Sequence, residues 1–501
     1  MYPQTAIAGE RTEQGTVHRA TEHPPMEVKM PTSVSTLAGG QAQLDTESLD
    51  AFSAGLAGEL ILPDHPDYDE ARSVWNAMID KRPAMIARCE GPDDVRHCVA
   101  FARRHDLLFS IRGAGHNIAG SALCDGGLTI DLSHMRRVDV DVGAGIATVQ
   151  PGATLGDLDA ATLPHGLAVP VGINSTTGIA GLTLGGGFGW LSRKYGLTVD
   201  SLLSVDVVTA NGERVKASAS ENPDLFWGLR GGGGNFGVVT SFDFRLRKAG
   251  PDLLSGLIVH PFSGARGAIE YYRDYAAAAS DEMTVWVVLR DAPPLPFLSE
   301  EVHGTKVLVF AFVYAGDPAD GEREIAPLAS HGQPHAVAMG VQPFAAFQQA
   351  FDPLLTPGAR NYWKSHNFTS LEDGLVDQVL AYAGSLPSPQ SEIFIAQVGG
   401  ATGRVAADAT AYPHRDAAFV MNVHTRWEDP AQYGKCVDWA RDFYGATAGF
   451  ATGGVYQNFV SEATDSAQVM AAYGANYDRL HDLKMKYDPD NVFRTNLNVR
   501  P

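Results

Sequence analysis

The sequence predicts an α+β protein of two domains, and three observations carry that prediction. A strand–helix–strand pattern over residues 85–111 delivers a glycine-rich loop, Arg112-Gly-Ala-Gly-His-Asn117. Two further glycine clusters, at 172–189 and 231–237, follow in the first half of the chain. After about Gly250 these clusters thin out and long β-rich runs appear, the pattern of an antiparallel sheet with helices between its strands.

The elements can be justified in order. Residues 85–89 form a strand, and Gly91-Pro92-Asp93-Asp94 opens a helix, because proline and acids suit a first helical turn. Val95, Cys98, Val99 and Ala102 share the inner face of that helix. Residues 107–111 are the next strand, and the glycine loop follows it directly. Short strands are expected at 128–132, 137–141 and 146–149, then a helix at 154–161 behind the turn Pro151-Gly152. A strand at 205–209 is turned by Asn211-Gly212, and another spans 238–246. In the second half the clearest strands are 283–289, 306–314, 392–398 and 418–426. On the last, alternation sets Asn422, His424 and Arg426 on one face and Phe419, Met421 and Val423 on the other. A helix over 473–486 stops at Tyr487-Asp-Pro489.

Composition bounds the function. The 501 residues are 45% hydrophobic, enough for full cores. With 38 basic and 58 acidic residues the formal charge is −20, which repels nucleic acid and anionic lipid. No apolar run reaches membrane-spanning length. The first forty residues are polar and contain Pro24, Pro25 and Pro31, without the basic-then-apolar order of a signal peptide. Residues 1–45 are therefore expected to be a disordered lead-in, and the protein cytoplasmic, as a monomer or homodimer. Cys89, Cys98, Cys124 and Cys436 show no CxxC spacing, and Pro334 breaks any helical face shared by His331 and His335, so no metal site is expected.

The glycine loops carry the chemistry. Gly113 and Gly115 permit a tight turn whose backbone N–H groups form a concave anion site, and Arg112 adds positive charge, which suits a pyrophosphate. Gly232-Gly-Gly-Asn-Phe-Gly237 matches the nicotinamide-dinucleotide fingerprint in letters only, since a helix precedes it and a strand follows. Three clusters together point to a large phosphate-bearing cofactor lying across several loops.

These motifs resemble the berberine-bridge-enzyme-like flavoproteins of the vanillyl-alcohol-oxidase superfamily. The carrying residues are Arg112-Gly-Ala-Gly-His-Asn117, Gly178-Ile-Ala-Gly-Leu-Thr-Leu-Gly-Gly-Gly-Phe-Gly189, Ser192-Arg-Lys-Tyr-Gly-Leu197, Tyr456-Gln-Asn-Phe459 and Lys486-Tyr-Asp-Pro-Asp-Asn-Val-Phe-Arg494. The resemblance implies a PCMH-type FAD-binding domain at 46–250, a substrate domain at 251–441 on an antiparallel sheet flanked by helices, and a C-terminal segment, 442–501, that completes the FAD domain and active site. It implies FAD attached covalently at His116. The cysteine that forms a second link in many members is Asn174 here, so a single link is expected.

The same resemblance assigns cofactor contacts to Arg112, Gly113, Ala114, Gly115, His116 and Asn117. A second loop supplies Gly172, Thr176, Thr177 and Gly178, and the helix after it Gly181, Leu182, Gly185 and Gly186. Gly237, Val238 and Asn458 complete the set. Tyr456 is implied as catalytic base, with Tyr195 lining the site, Arg193 or Lys194 supplying positive field, and Asn458 orienting Tyr456 or the flavin. Thr177 falls where oxygen access is controlled, and it is small. Trp286, Gln397, Asn422 and His424 are the substrate candidates. The expected reaction is oxidation of a C–H next to a hydroxyl or amine of a small molecule, with O2 reduced to H2O2. Two alternatives stay open: a flavin dehydrogenase or oxidative cyclase that uses O2 poorly, and a flavin-binding protein without catalysis.

Overall fold

The computed structural model describes residues 31–461 and 466–501, so residues 1–30 of the expected lead-in lie outside the described residues. The rest of that lead-in is ordered. Thr32–Ser35 and Gln41–Leu44 pair as an antiparallel hairpin, and helix Thr46–Ala54 follows, with Asp45 accepting from Ser48 N at its start. Val34 and Leu44 are buried in the same core as helix Pro92–Arg104. Burial against residues sixty positions away leaves no trace in local composition, which is why the polar stretch read as disordered.

Strand Phe109–Arg112 sits at the edge of a four-stranded sheet, parallel to Leu128–Asp131, which is parallel to Met85–Arg88; Glu59–Ile61 joins antiparallel beyond. Helix Pro92–Arg104 is the crossover. Its first turn holds Asp93 and Asp94 and its last turn Arg103 and Arg104, both in the sense the helix dipole favours. The loop 113–117 therefore leaves a fixed sheet edge.

A five-stranded antiparallel sheet runs in the order Arg214–Ser218, Leu202–Val208, Val238–Arg245, Ile146–Val149, Val138–Asp141. Helix Leu155–Thr162 starts with a capping box between Thr154 and Asp157. Helix Pro223–Leu229 precedes the third glycine cluster and strand Val238–Arg245 follows it. That order is the reverse of a dinucleotide fingerprint.

The second half forms a seven-stranded, wholly antiparallel sheet. Its order is Ala336–Pro343, Asp252–Pro261, Lys306–Tyr314, Met283–Asp291, Glu392–Gln397, Phe419–Trp427, Arg360–Phe368. Phe419, Met421 and Val423 share one core with Cys436, Val437, Ala440 and Phe443 of helix Tyr433–Thr447. The opposite face looks toward the glycine-rich half. There Trp190 stacks on Trp286 at 3.9 Å, inside a core that also joins Leu197 and Val199 to Ala311 and Ala396.

The chain then returns to its first half. Lys484 on helix Tyr477–Tyr487 is fully buried and donates to Asp488 Oδ2 at 2.7 Å, to Asn235 O and to Phe493 O. Asp488 in turn accepts from the backbone of Val492 and Phe493. Every polar atom of this pair finds a partner, which offsets the cost of burying the charges. It ties the last residues to the third glycine cluster.

Candidate active site

A connected cavity of about 420 Å³ runs from strand Phe109–Arg112 to the inner face of the seven-stranded sheet. At its start the chain turns with Gly115 at φ +74°, a conformation open to glycine. The five successive backbone N–H groups from Gly113 to Asn117 donate to no described residue. Polar backbone of this kind needs acceptors, and phosphate oxygens suit it. At Gly181 and Gly234, both in the wall, a Cβ would meet nothing within 4 Å, so bare backbone faces open space. Asn496, also in the wall, has a buried Oδ1 without a partner among the described residues. These features fit an extended, phosphate-bearing cofactor.

Arg112 makes no direct contact with the cavity, although its Nε is buried beside Gly115 without a partner among the described residues. Its guanidinium is held by Ala71 O, and the side chain is outside the cavity wall. The donors that line the cavity itself at this loop are neutral backbone N–H groups.

His116 lies in the wall, its ring stacked 5.2 Å from Trp75. Its Nε2 is 2.9 Å from Thr176 Oγ1. Asn174 Oδ1 accepts from both the Thr176 backbone N–H (3.0 Å) and the Thr176 hydroxyl (2.7 Å). A backbone N–H can only donate, so that Asn174 atom is the oxygen. The single hydroxyl proton of Thr176 is thus committed to it, and Thr176 Oγ1 accepts from His116. His116 therefore carries its proton on Nε2 and presents Nδ1 as a lone pair. Burial pushes its pKa down to about 4, so the ring is neutral at physiological pH.

None of the four cysteines lines the cavity, and all are buried. Cys124, the nearest in sequence to the loop, has its thiol pushed up to about 11 by burial.

Tyr456 is 2% exposed, and its hydroxyl oxygen accepts from Gly187 N at 3.1 Å and from Asn458 Nδ2 at 2.9 Å. Asn458 also donates to Leu182 O. This approach depends on Gly185, where a Cβ would stand 2.0 Å from Asn458 Oδ1. Burial raises the phenol to about 12, although the bonds from Asn458 and Gly187 pull it the other way. Phe188 and Phe459 pack edge-on against the ring at 4.9 and 4.8 Å.

Other expected residues fall elsewhere. Tyr195 is outside the wall, its hydroxyl bonded to Lys248 O at 2.6 Å, so it does not line the site. Arg193 donates to the carbonyls of Met283, Val398, Ala279 and Ser280, and Lys194 to Ala315 O, so neither supplies field to Tyr456. Gln397 is also outside the wall: it accepts from Val285 N and donates to Ala276 O, on the helix-covered face of its strand. Gly186 backs onto Tyr412, and Thr176 reaches the cavity only through His116. Gly113, Ala114, Asn117, Gly172, Thr177, Gly178, Leu182, Gly237 and Val238 do line it, as do Trp286, Asn422 and His424.

Several wall residues carried no earlier assignment. Trp75, Val288, Arg290, Trp363, Glu392 and Phe394 are among them. Glu392 receives Arg290 Nη1 at 2.7 Å and faces His424 Nδ1 at 3.2 Å. Burial alone would raise this carboxyl, but Arg290, His424 and Arg426 outweigh it and hold it at about 2. Strand parity was the available signal for Glu392 and Phe394, which share one face while Gln397 takes the other.

Comparison with known proteins gives the cofactor. An FAD binding domain model matches residues 83–218, and a berberine and berberine-like model matches 455–500. An uncharacterized FAD-linked oxidoreductase of Bacillus subtilis is 30% identical, covering 89% of this chain and 97% of its own. The chain belongs to the berberine-bridge-like FAD-linked oxidoreductases. Another such oxidoreductase, (R)-6-hydroxynicotine oxidase of Paenarthrobacter nicotinovorans, is 30% identical over 90% of this chain and 98% of its own. The crystal structure of 6-hydroxy-D-nicotine oxidase from Arthrobacter nicotinovorans superposes with a TM-score of 0.80 at 29% identity, covering 89% of this chain and 98% of that one. Xylooligosaccharide oxidase from Myceliophthora thermophila, in complex with xylobiose, gives 0.78 at 26% identity, covering 91% and 99%. The fold is thus the two-part α+β arrangement of this FAD-linked family, and FAD is the cofactor.

Proposed function

We propose that this FAD-linked oxidoreductase is an oxidase for a C–H bond next to a hydroxyl or amine of a small molecule. The observation that carries the proposal is Tyr456 Oη, placed in the cavity wall between two N–H donors. When bound, FAD would supply two-electron redox chemistry, with the substrate C–H as reductant and O2 as the final acceptor, reduced to H2O2.

The chain's own residues do the rest. The unpaired N–H groups of Gly113 to Asn117 hold the phosphates, and Asn496 Oδ1 accepts from the cofactor. Nδ1 of neutral His116 is the atom assigned to a single covalent link. No thiol stands where the second link of other members forms, since Asn174 is spent on Thr176. Tyr456 receives the proton leaving the substrate hydroxyl, and the donors at Gly187 and Asn458 stabilise the phenolate that does so. Thr177, small and in the wall, leaves a path for O2.

The expected division at 46–250, 251–441 and 442–501 is kept as a proposal, with the first unit extended back to Thr32. Cytoplasmic residence and a monomer or homodimer remain proposals too. Among the described residues no helix is long and apolar enough to cross a membrane.

The test pairs intact mass with an oxygen electrode. A pellet that stays yellow after acid precipitation and is heavier by one FAD meets the expectation, as does H2O2 formed in step with O2 consumed. A protein that turns over only with an artificial acceptor is a dehydrogenase instead. One whose flavin is never reduced by alcohols, amines or sugars is a binding protein.

A further inference from the structure

Residues 73–78 run between the cofactor loop and Arg360–Phe368, the edge strand of the seven-stranded sheet, and bond to both sides. On the cofactor side Trp75 N donates to Gly115 O and Asn76 Nδ2 to Ile118 O, each at 3.1 Å. On the substrate side Gly358 N donates to Trp75 O, Ala77 N to Ala359 O, and Trp75 Nε1 to Leu355 O. Asn76 also pairs with Asn361 as neighbouring strand residues pair. Its Oδ1 accepts from Asn361 N and its Nδ2 donates to Asn361 O, both at 2.9 Å. Trp75 is 4% exposed and Asn76 2%, so a single buried carboxamide joins the two halves of the chain.

His116 is what this strap bears on. The bond from its Nε2 to Thr176 selects the nitrogen that keeps a lone pair, yet one hydrogen bond leaves the ring free to tilt. The Trp75 indole limits that tilt. It lies 5.2 Å from the imidazole with the two planes 23° apart, an offset stack that aromatic rings favour. Trp75 in turn is placed from the substrate side. Leu355 O holds its N–H, and the Arg426 guanidinium stands 5.5 Å from its ring and bonds Thr356 O, the next carbonyl along. When FAD is bound, attachment exchanges one methyl C–H bond of its ring for a bond to Nδ1. Two electrons stay in the ring with two protons, one from the methyl group and one from Nε2, and O2 takes all of these away as H2O2. Such a step is fast only where Nδ1 already points at its carbon.

We propose that Trp75 and Asn76 are positioning residues for His116: they aim its Nδ1, and the docked edge of the substrate sheet aims them. This rests on the function proposed above, in which Nδ1 carries the link, and adds what directs that atom.

The experiment follows attachment in the full chain. FAD is added to FAD-free protein, samples are precipitated in acid at intervals, and linked FAD is compared with total bound FAD. Trp75→Leu should slow attachment about two- to tenfold, the worth of one stacked pair, with total FAD as in wild type. Trp75→Phe, which keeps a ring against His116, should recover most of the rate. Asn76→Asp keeps the volume but sets a carboxylate oxygen against the carbonyls of Ile118 and Asn361, and should slow attachment at least about threefold. Should Trp75→Leu not fold, Trp75→Met takes its place. Attachment at the wild-type rate in Trp75→Leu or in Asn76→Asp overturns the inference. So does a loss of total FAD in step with linked FAD, since Trp75 would then hold the cofactor and not the histidine. A second arm needs no link. In FAD-free chain with isotope-labelled histidine, the His116 ring nitrogens are identified by their loss in His116→Ala. They should show one bare and one protonated atom at neutral pH, and should average toward each other in Trp75→Leu. Averaging in wild type, or none in the variant, overturns the inference. A wild type that binds FAD without linking it removes the link from the proposed function and leaves this second arm standing. Slow reoxidation of the dithionite-reduced enzyme by O2 removes the oxidase reaction alone.

Discussion

Thr176 Oγ1 lies 2.9 Å from His116 Nε2 and gives its own proton to Asn174. A hydroxyl so committed acts as an acceptor toward the histidine, and it selects which ring nitrogen keeps a lone pair. Thr176→Val removes that selection. The covalently bound FAD fraction after a fixed incubation should fall about three- to tenfold, the worth of one hydrogen bond, as read from the acid pellet. Asn174→Ala, acting one step further back, should slow attachment less, and His116→Ala should release all FAD on denaturation. Full covalent loading of His116→Ala would place the link elsewhere.

Tyr456 makes a pH prediction. Its phenol is raised to about 12, so the ionised fraction climbs with pH across the whole working range. For an alcohol substrate, kcat/KM should rise with pH up to at least about 10 without reaching a plateau. Tyr456→Phe should lower it about 10²- to 10⁴-fold and flatten the profile. Asn458→Ala, which removes one of the two donors to Oη, should move the rising limb to higher pH. A plateau near neutral pH in the wild type would assign the base to another group.

Tyr195 supplies the negative control. Its hydroxyl ends on Lys248 O, away from the cavity. Tyr195→Phe should cost about 1 kcal/mol of stability and leave kcat and KM within twofold, roughly the scatter of such measurements. A fall in kcat of an order of magnitude would return Tyr195 to the site.

Asp159 links pH to stability. It is buried, accepts from Gln348 Nε2 at 3.2 Å, and burial raises its pKa from 3.8 to about 7. The folded chain therefore holds a proton that the unfolded chain releases at 3.8. Its contribution is complete below that pH, is lost as pH rises from 3.8 to 7, and changes no further above. Asp159→Asn keeps the acceptor and removes the ionisation. Thermal unfolding should show the variant more stable than wild type at pH 8, by at most about 4 kcal/mol, and equal to it at pH 4. Equal Tm values at both pH values would mean that Asp159 is ionised in the fold without penalty.

Much of this architecture is local and was legible in the sequence. The caps of helix Pro92–Arg104, the glycine loop after strand Phe109–Arg112 and the alternation on Phe419–Trp427 are each set by residues within a few positions. The errors share one physical cause. Arg112, Tyr195 and Gln397 are polar side chains in the right neighbourhood whose partners are carbonyls far along the chain: Ala71, Lys248 and Ala276. Only packing decides which acceptor such a group reaches. The hairpin at Thr32–Leu44 was missed for the same reason, since its order comes from the core around helix Pro92–Arg104. Trp75, which stacks on His116, has no pattern around it to mark it.

The cavity wall closes late. Tyr456, Asn458, Phe493, Thr495 and Asn496 all belong to the final stretch of chain, and the buried Lys484–Asp488 pair anchors that stretch to the third glycine cluster. Val492 and Phe493 share a core with Phe109, and Thr495 donates to Phe109 O, so the strand that carries the cradle of open N–H groups packs against this same stretch. One substitution that opens the Lys484–Asp488 pair would therefore loosen five wall residues together, although neither partner of the pair lines the cavity itself.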